Sequence, residues 1–114
     1  MSVIIWHNPR CSKSRQTLEL LQTNGVTPII RLYLEDSPSI AEIESMLQIL
    51  NLEPRSLMRV KEAEYGTQGL ADVKDNATLI KAMSNTPKLI ERPIVINGTK
   101  AAIGRPPENV LKVI

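Results

Sequence analysis

Cysteine occurs once in this chain of 114 residues, histidine once and phenylalanine not at all, and aromatics make up only 3%. A lone cysteine cannot close an internal disulfide, which excludes a disulfide-stapled scaffold. One Cys and one His also fall short of the ligand set of a metal centre, so no metal is expected. Without Phe, the core must come from Ile, Leu, Val and Met. A net charge of +2 is too small to argue for nucleic acid or a membrane surface, so any electrostatic function must be local. No apolar run reaches membrane-spanning length. The N-terminal SVIIW is too short for a secretory h-region and has no basic segment before it. A soluble cytoplasmic protein is expected and, with no apolar stripe that requires a partner copy, a monomer.

What is present is ordinary for a globular protein: 42% hydrophobic and 23% charged residues, in a length that suits one domain spanning residues 1–114. The β-branched and aromatic run Val3 to Trp6 predicts a strand buried on both faces. Asn8-Pro9 breaks it. Thr17, Leu18, Leu20 and Leu21 then recur at helical spacing from about Ser12, and Asn24-Gly25 ends the helix, with Gly25 left-handed. Pro28 to Leu34 predicts a second strand. A strand, helix and strand this close imply a right-handed βαβ unit with parallel pairing.

Ser39 with Glu42 forms a capping box for a helix through Ile40, Ile43, Met46, Leu47 and Leu50. A short helix is expected around Ser56 to Lys61. Another, capped by Asp75 or Asn76, carries Leu79, Ile80 and Met83 and stops before Pro87. Pro93 to Ile96 and Thr99 to Ile103 predict a hairpin with Asn97-Gly98 as its turn. Pro106 suits the first turn of a last helix with Val110, Leu111 and Ile114 inside. The order β-α-β, helices, β-β-α predicts an α/β, thioredoxin-like fold with a mixed sheet and a helical insertion at about 37–88.

The single cysteine and single histidine fall together in HNPRCSKSR, His7 to Arg15. Cys11 stands where the first strand turns into its helix. The unpaired N–H groups of a helix start carry partial positive charge and lower the pKa of a thiol placed there. Arg10, Lys13 and Arg15 push the same way, and His7 would when protonated. Ser14, one turn on, can donate a hydrogen bond to the sulfur. Each cation in that turn costs about 0.3–1 kcal/mol against the helix dipole. A local rule broken repeatedly in one place points to an anion, thiolate or oxyanion substrate, that turns repulsion into attraction. The alternative is an inert buried cysteine beside a solvated cationic face. His7 alone is as readily a packing residue as a catalytic one. A phosphatase-type cradle does not fit, because Arg15 follows Cys11 by four positions with no glycine between.

HNPRCSKSR with QTLELL resembles the active-site segment of the glutaredoxin-coupled arsenate reductase (ArsC-like) family, in its small bacterial branch. The likeness continues through LYLED, LMRVKEAEY, GLA, LIERPIVING and IGRPPENVL, nearly the whole chain. It implies an arsenate reductase in which Cys11 attacks arsenate while Arg59, Arg92 and Arg105 hold the oxyanion. His7 and Ser14 match residues that support the thiolate. Pro93 matches the cis-proline beside the cysteine of thioredoxin-like folds. Arginine suits the task because its planar fork gives paired hydrogen bonds and keeps its charge.

The resemblance also implies a covalent thiol-arsenate adduct. With no second cysteine to resolve it, glutathione is expected as co-substrate, with no bound cofactor, and glutaredoxin as the partner that finishes the exchange. Arg10, directly before Cys11, departs from the small residue common in better-known members. Two other readings share the fold. One is a glutathione-dependent thiol oxidoreductase acting on mixed disulfides, which has no need of three distant arginines. The other is a Spx-like regulator that binds RNA polymerase; those usually carry Cys-x-x-Cys, and Ser14 occupies the second position here.

Overall fold

The computed structural model describes residues 2–114, and the chain divides into two compact units, Met1–Asp36 with Arg92–Ile114 and Ser37–Glu91. Each is described by itself.

In the first unit, β1 (Val3–Trp6), α1 (Ser12–Thr23), β2 (Ile29–Arg31), β3 (Ile94–Asn97) and β4 (Lys100–Ile103) build a four-stranded sheet ordered β2-β1-β3-β4. β1 runs parallel to β2, with Ile5 opposite Ile30, and antiparallel to β3, with Ile5 opposite Val95. A parallel pair cannot be joined by a tight turn, so α1 is the crossover between them. Ile5, Leu21, Val95 and Val110 are fully buried together, with Val113 beside them. Sheet, α1 and the last turn of the chain thus close one core. Each fully buried aliphatic of this kind contributes about 2 kcal/mol, and Ile5→Ala would remove more because a cavity adds to the lost burial.

Three expectations change in this unit. β2 stops at Arg31, three residues short of the predicted end. β1 has run out beside it: Trp6 pairs with Arg31, and the His7 N–H donates to the Arg31 carbonyl at 2.8 Å before Asn8-Pro9 breaks the strand. Without a neighbour the chain curls, and the Glu35 and Asp36 N–H groups both donate to the Leu32 carbonyl. Arg31 closes that turn with its Nε 3.4 Å from the Asp36 carboxylate, while its guanidinium lies 5.6 Å from the Trp6 ring centre.

The hairpin turn sits one residue later than predicted. Asn97 pairs with Lys100, which makes Gly98 and Thr99 the central residues. Gly98 takes the first central position at φ 63°, where glycine alone is unstrained. Asn97 stays in the strand and donates from Nδ2 to the Val113 carbonyl at 2.7 Å. Finally, the last helix is a 3₁₀ segment, Pro107–Lys112, which buries Val110 but leaves Leu111 exposed, and Ile114 lies exposed beyond it. Prolines at 106 and 107 remove the first two N–H donors from its entry, and tight i→i+3 bonding suits so short a run.

The second unit is helical: α2 (Ile40–Leu50), α3 (Ala63–Thr67) and α4 (Asn76–Asn85), with 3₁₀ turns at Pro54–Leu57, Leu70–Asp72 and Pro87–Leu89. The capping box forms, with the Glu42 N–H donating to Ser39 Oγ at 3.1 Å and the Ser39 N–H to Glu42 Oε1 at 3.0 Å. Ile43, Met46, Leu57, Leu79, Met83 and Leu89 are buried in this unit. The helix expected around Ser56 to Lys61 is replaced by a 3₁₀ turn and a bridge. Met58 pairs with Ile90, and the Arg59 N–H donates to the Leu89 carbonyl at 2.7 Å, which pulls this stretch into extended backbone. Arg55 clasps the loop beyond, donating to the Tyr65 hydroxyl and to the carbonyls of Leu70 and Val73.

Candidate active site

β1 delivers His7 to the end of the sheet, and the turn that follows sets the start of α1. The Asn8 side chain accepts from the Arg10 N–H at 3.0 Å, and the Asn8 carbonyl accepts from the Cys11 N–H at 3.0 Å. Both fold the chain back after Pro9. The Cys11 carbonyl then accepts the first helical bond, from the Arg15 N–H at 3.0 Å, which makes Cys11 the N-cap. Cysteine is a poor cap. Its side chain closes no capping hydrogen bond of good geometry, and the sulfur instead meets the positive end of the helix.

Burial of the sulfur works to raise the thiol pKa. The Ser14 N–H, the charge of Arg92, the Lys13 N–H and a hydrogen bond from the Arg92 side chain together outweigh it, and the thiol lies below its ordinary range. A cation that acts on Cys11 is thus Arg92, from the other end of the first unit's sequence. Its charge and its hydrogen bond are among the largest influences on the sulfur. Arg15 turns back on the loop and donates to the Pro9 carbonyl at 2.9 Å. Lys13 contributes its backbone N–H.

Ser14 and His7 support the loop in another way than the sequence suggests. Ser14 is fully buried, and its hydroxyl is engaged by the Asn8 N–H at 3.0 Å and by His7 Nδ1 at 2.6 Å. Its backbone N–H, not the hydroxyl, lowers the thiol pKa. Burial, followed by the charge of Arg15, holds the His7 pKa below 6.5. The imidazole thus favours its neutral form, which makes it a poor source of positive charge for the thiol. It fixes Ser14, and through it the angle at which α1 leaves the turn.

Arg92 is positioned by the hairpin. The Pro93 carbonyl accepts from the Gly104 N–H at 2.9 Å. A Cβ on Gly104 would fall 2.5 Å from Thr17 Oγ1 and 2.9 Å from Pro93 Cγ, so only glycine lets β3, β4 and α1 come this close. This clasp was missed in the sequence; a glycine directly after a strand was its only signal. The Arg92–Pro93 bond is cis, as the resemblance implies, and so is Arg105–Pro106, which nothing in the sequence signals. Arg105 follows Gly104 and is exposed. Arg59 belongs to the second unit, where its Nη2 lies 3.1 Å from Glu62 Oε2 and Lys88 holds the other oxygen of Glu62 at 3.2 Å. Cys11, His7, Ser14, Arg92, Pro93 and Arg105 thus belong to one unit, and Arg59 to the other. No group of three or more His, Cys, Asp or Glu able to hold a metal occurs among the described residues, and none of their helices is long and apolar enough to cross a membrane.

This sheet, with a thiol at the N-cap of its crossover helix, defines a thioredoxin-like protein of the single-cysteine type. The ArsC family model matches residues 6–113. A protein of Haemophilus influenzae named arsenate reductase is 51% identical, with all of both chains covered. The uncharacterized protein YfgD of Escherichia coli is 52% identical over 98% of this chain and 96% of its own. Among solved structures, the arsenate reductase from Vibrio cholerae superposes with a TM-score of 0.97 at 49% identity, covering 100% of this chain and 98% of that one. The chain belongs to the ArsC family.

Proposed function

We propose that the protein is an arsenate reductase whose Cys11 attacks arsenate and whose adduct is resolved by glutathione and glutaredoxin. One observation carries the reading: a thiol at a helix N-terminus is held below its ordinary pKa by two backbone N–H groups and Arg92. A thiolate approaching an arsenate anion meets like-charge repulsion, which is severe away from bulk water. A fixed guanidinium between them offsets it without any reorganisation during the reaction. Full-length relatives named arsenate reductase support the substrate.

In the proposed cycle the Cys11 sulfur forms a bond to arsenic(V), and an oxygen leaves as water after taking up protons. Glutathione thiolate then forms a disulfide with the Cys11 sulfur. The sulfur–arsenic electron pair stays with arsenic, which departs as arsenite, arsenic(III). Glutaredoxin thiolate takes the glutathionyl group by exchange and returns Cys11 as thiolate. Arg92 is the proposed oxyanion contact nearest the sulfur; Arg59 and Arg105 enter on the family's pattern. His7 and Ser14 hold the turn. The reducing cytoplasm, which keeps a lone thiol free, is the proposed compartment.

Arsenite release is to be measured with arsenate, glutathione and glutaredoxin, each omitted in turn. Loss of turnover on every omission is the expected result. Turnover that ignores arsenate, with reduction of mixed disulfides in its place, would identify a general thiol oxidoreductase.

A further inference from the structure

Cys11 is the only sulfur nucleophile in the chain, so a second thiol must come from outside and needs a place to sit. A cleft of about 270 Å³ opens within the first unit, with the His7–Arg10 loop on one side and Leu32, Leu34 and Glu35 on the other. One of its walls includes the residue directly before Cys11. Pro9, Leu32 and Leu34 supply apolar surface, and both leucines stay well exposed, at 38% and 40%.

Two charges of opposite sign belong to this cleft. Arg10 uses only its backbone N–H, on the Asn8 side chain. Glu35 uses only its backbone N–H, on the Leu32 carbonyl. The neighbouring charges are committed: Arg15 to the Pro9 carbonyl and Arg31 to Asp36. A cleft holding one free cation, one free anion and an apolar floor is complementary to a small zwitterion.

Building on the proposed function, we propose that this cleft seats the reducing thiol as a small zwitterionic peptide, its carboxylate toward Arg10 and its ammonium toward Glu35. Seated there, the thiol reaches Cys11 along the loop that both share. It then performs the disulfide-forming step given above, in which the two sulfurs supply the electron pair that reduces arsenic.

The probe is S-methylglutathione, which keeps the charges of glutathione but has no free thiol. Titrated into ¹⁵N-labelled protein, it is expected to shift the amides of His7, Asn8, Arg10, Leu32, Leu34 and Glu35. Arg10→Ala and Glu35→Gln are each expected to weaken binding about fivefold, the scale of an exposed ion pair, and Arg10→Lys to retain it. Absence of shifts at millimolar probe, shifts confined to other surfaces, or unchanged affinity in both charge variants would overturn the seat. So would a cleft that responds to glutaredoxin alone, since the face would then belong to a protein. Arsenate turnover driven by dithiothreitol separates the two readings. Turnover without cleft shifts sinks the seat and spares the reductase; no turnover with any thiol sinks the reductase, and the shift map still decides the seat.

Discussion

Helices α1 and α2 are nearly the same length, 12 and 11 residues, and begin in opposite ways. α2 starts with Ser39 and Glu42 satisfying each other's backbone, and the Glu42 carboxylate complements the dipole. α1 starts with a cysteine that closes no cap, has no acidic residue in its first turn, and continues Ser12-Lys13-Ser14-Arg15. In α2 the positive end is neutralised by the chain itself. In α1 it is left facing a sulfur, with Arg92 added. The difference teaches how one kind of helix start serves two ends: the same physics that caps one helix lowers the pKa of a thiol on the other.

The largest effect expected from breaking this contrast is loss of the anion. Cys11→Ser should reduce arsenate turnover by more than about 10³-fold, because an uncharged hydroxyl cannot replace the thiolate as nucleophile. Residual arsenite release near the wild-type rate would place the chemistry elsewhere. Next comes Arg92→Ala, expected to lower turnover by about 10²-fold, the usual cost of removing one preorganised donor. It should also move the thiol titration, followed by thiolate absorbance against pH, upward toward an ordinary cysteine. A titration that stays put would mean the backbone N–H groups of Lys13 and Ser14 suffice, and that α1 alone explains the low pKa.

Much of the contrast is legible in the sequence. The capping box of α2, the break at Asn8-Pro9 and the crossover of α1 are local signals, each decided by a few adjacent residues. The distant cation was not a local signal, and only the family resemblance pointed to Arg92. Arg10, Lys13 and Arg15 sit beside Cys11 in sequence, whereas Arg92, which acts on the sulfur in the structure, is eighty-one positions away. Only sheet order brings it there, with β3 pairing against β1. The length of β2 failed for the same reason, since a strand ends where its neighbour ends. Gly98 shows a subtler limit: the Asn-Gly signal located the hairpin, but the register was set one residue on by Asn97 reaching Val113.

A smaller effect sharpens the stability side of the comparison. Ser39→Ala removes the oxygen that accepts the Glu42 N–H and should cost about 1 kcal/mol in chemical denaturation. The Cys11 titration should stay unchanged. Cys11→Ser gives α1 the oxygen cap it lacks and should stabilise by roughly 0.5 kcal/mol, on the same scale of cap preference. The two serine changes should thus have opposite signs. A Cys11→Ser protein less stable than wild type would mean that the thiolate contributes more to holding the helix start than a neutral cap does.

The smallest expected effect concerns His7, which links the two ends of the turn through Ser14. Its folded pKa lies below 6.5, chiefly because it is buried and secondly because Arg15 repels the imidazolium. Between that depressed value and 6.5 the unfolded chain therefore holds more protons on this side chain than the folded one does. Stability then rises with pH through the window. The contribution is complete above 6.5 and is lost as pH falls toward the folded value, where the ring charges even in the native state. Denaturation curves at pH 7 and pH 5 should show wild type losing more stability than His7→Gln, which has no proton to gain in that interval. Equal losses would mean that His7 titrates alike in both states. The short bond to Ser14 would then tolerate an imidazolium, and the ring could supply to the helix start the positive charge that its burial otherwise denies.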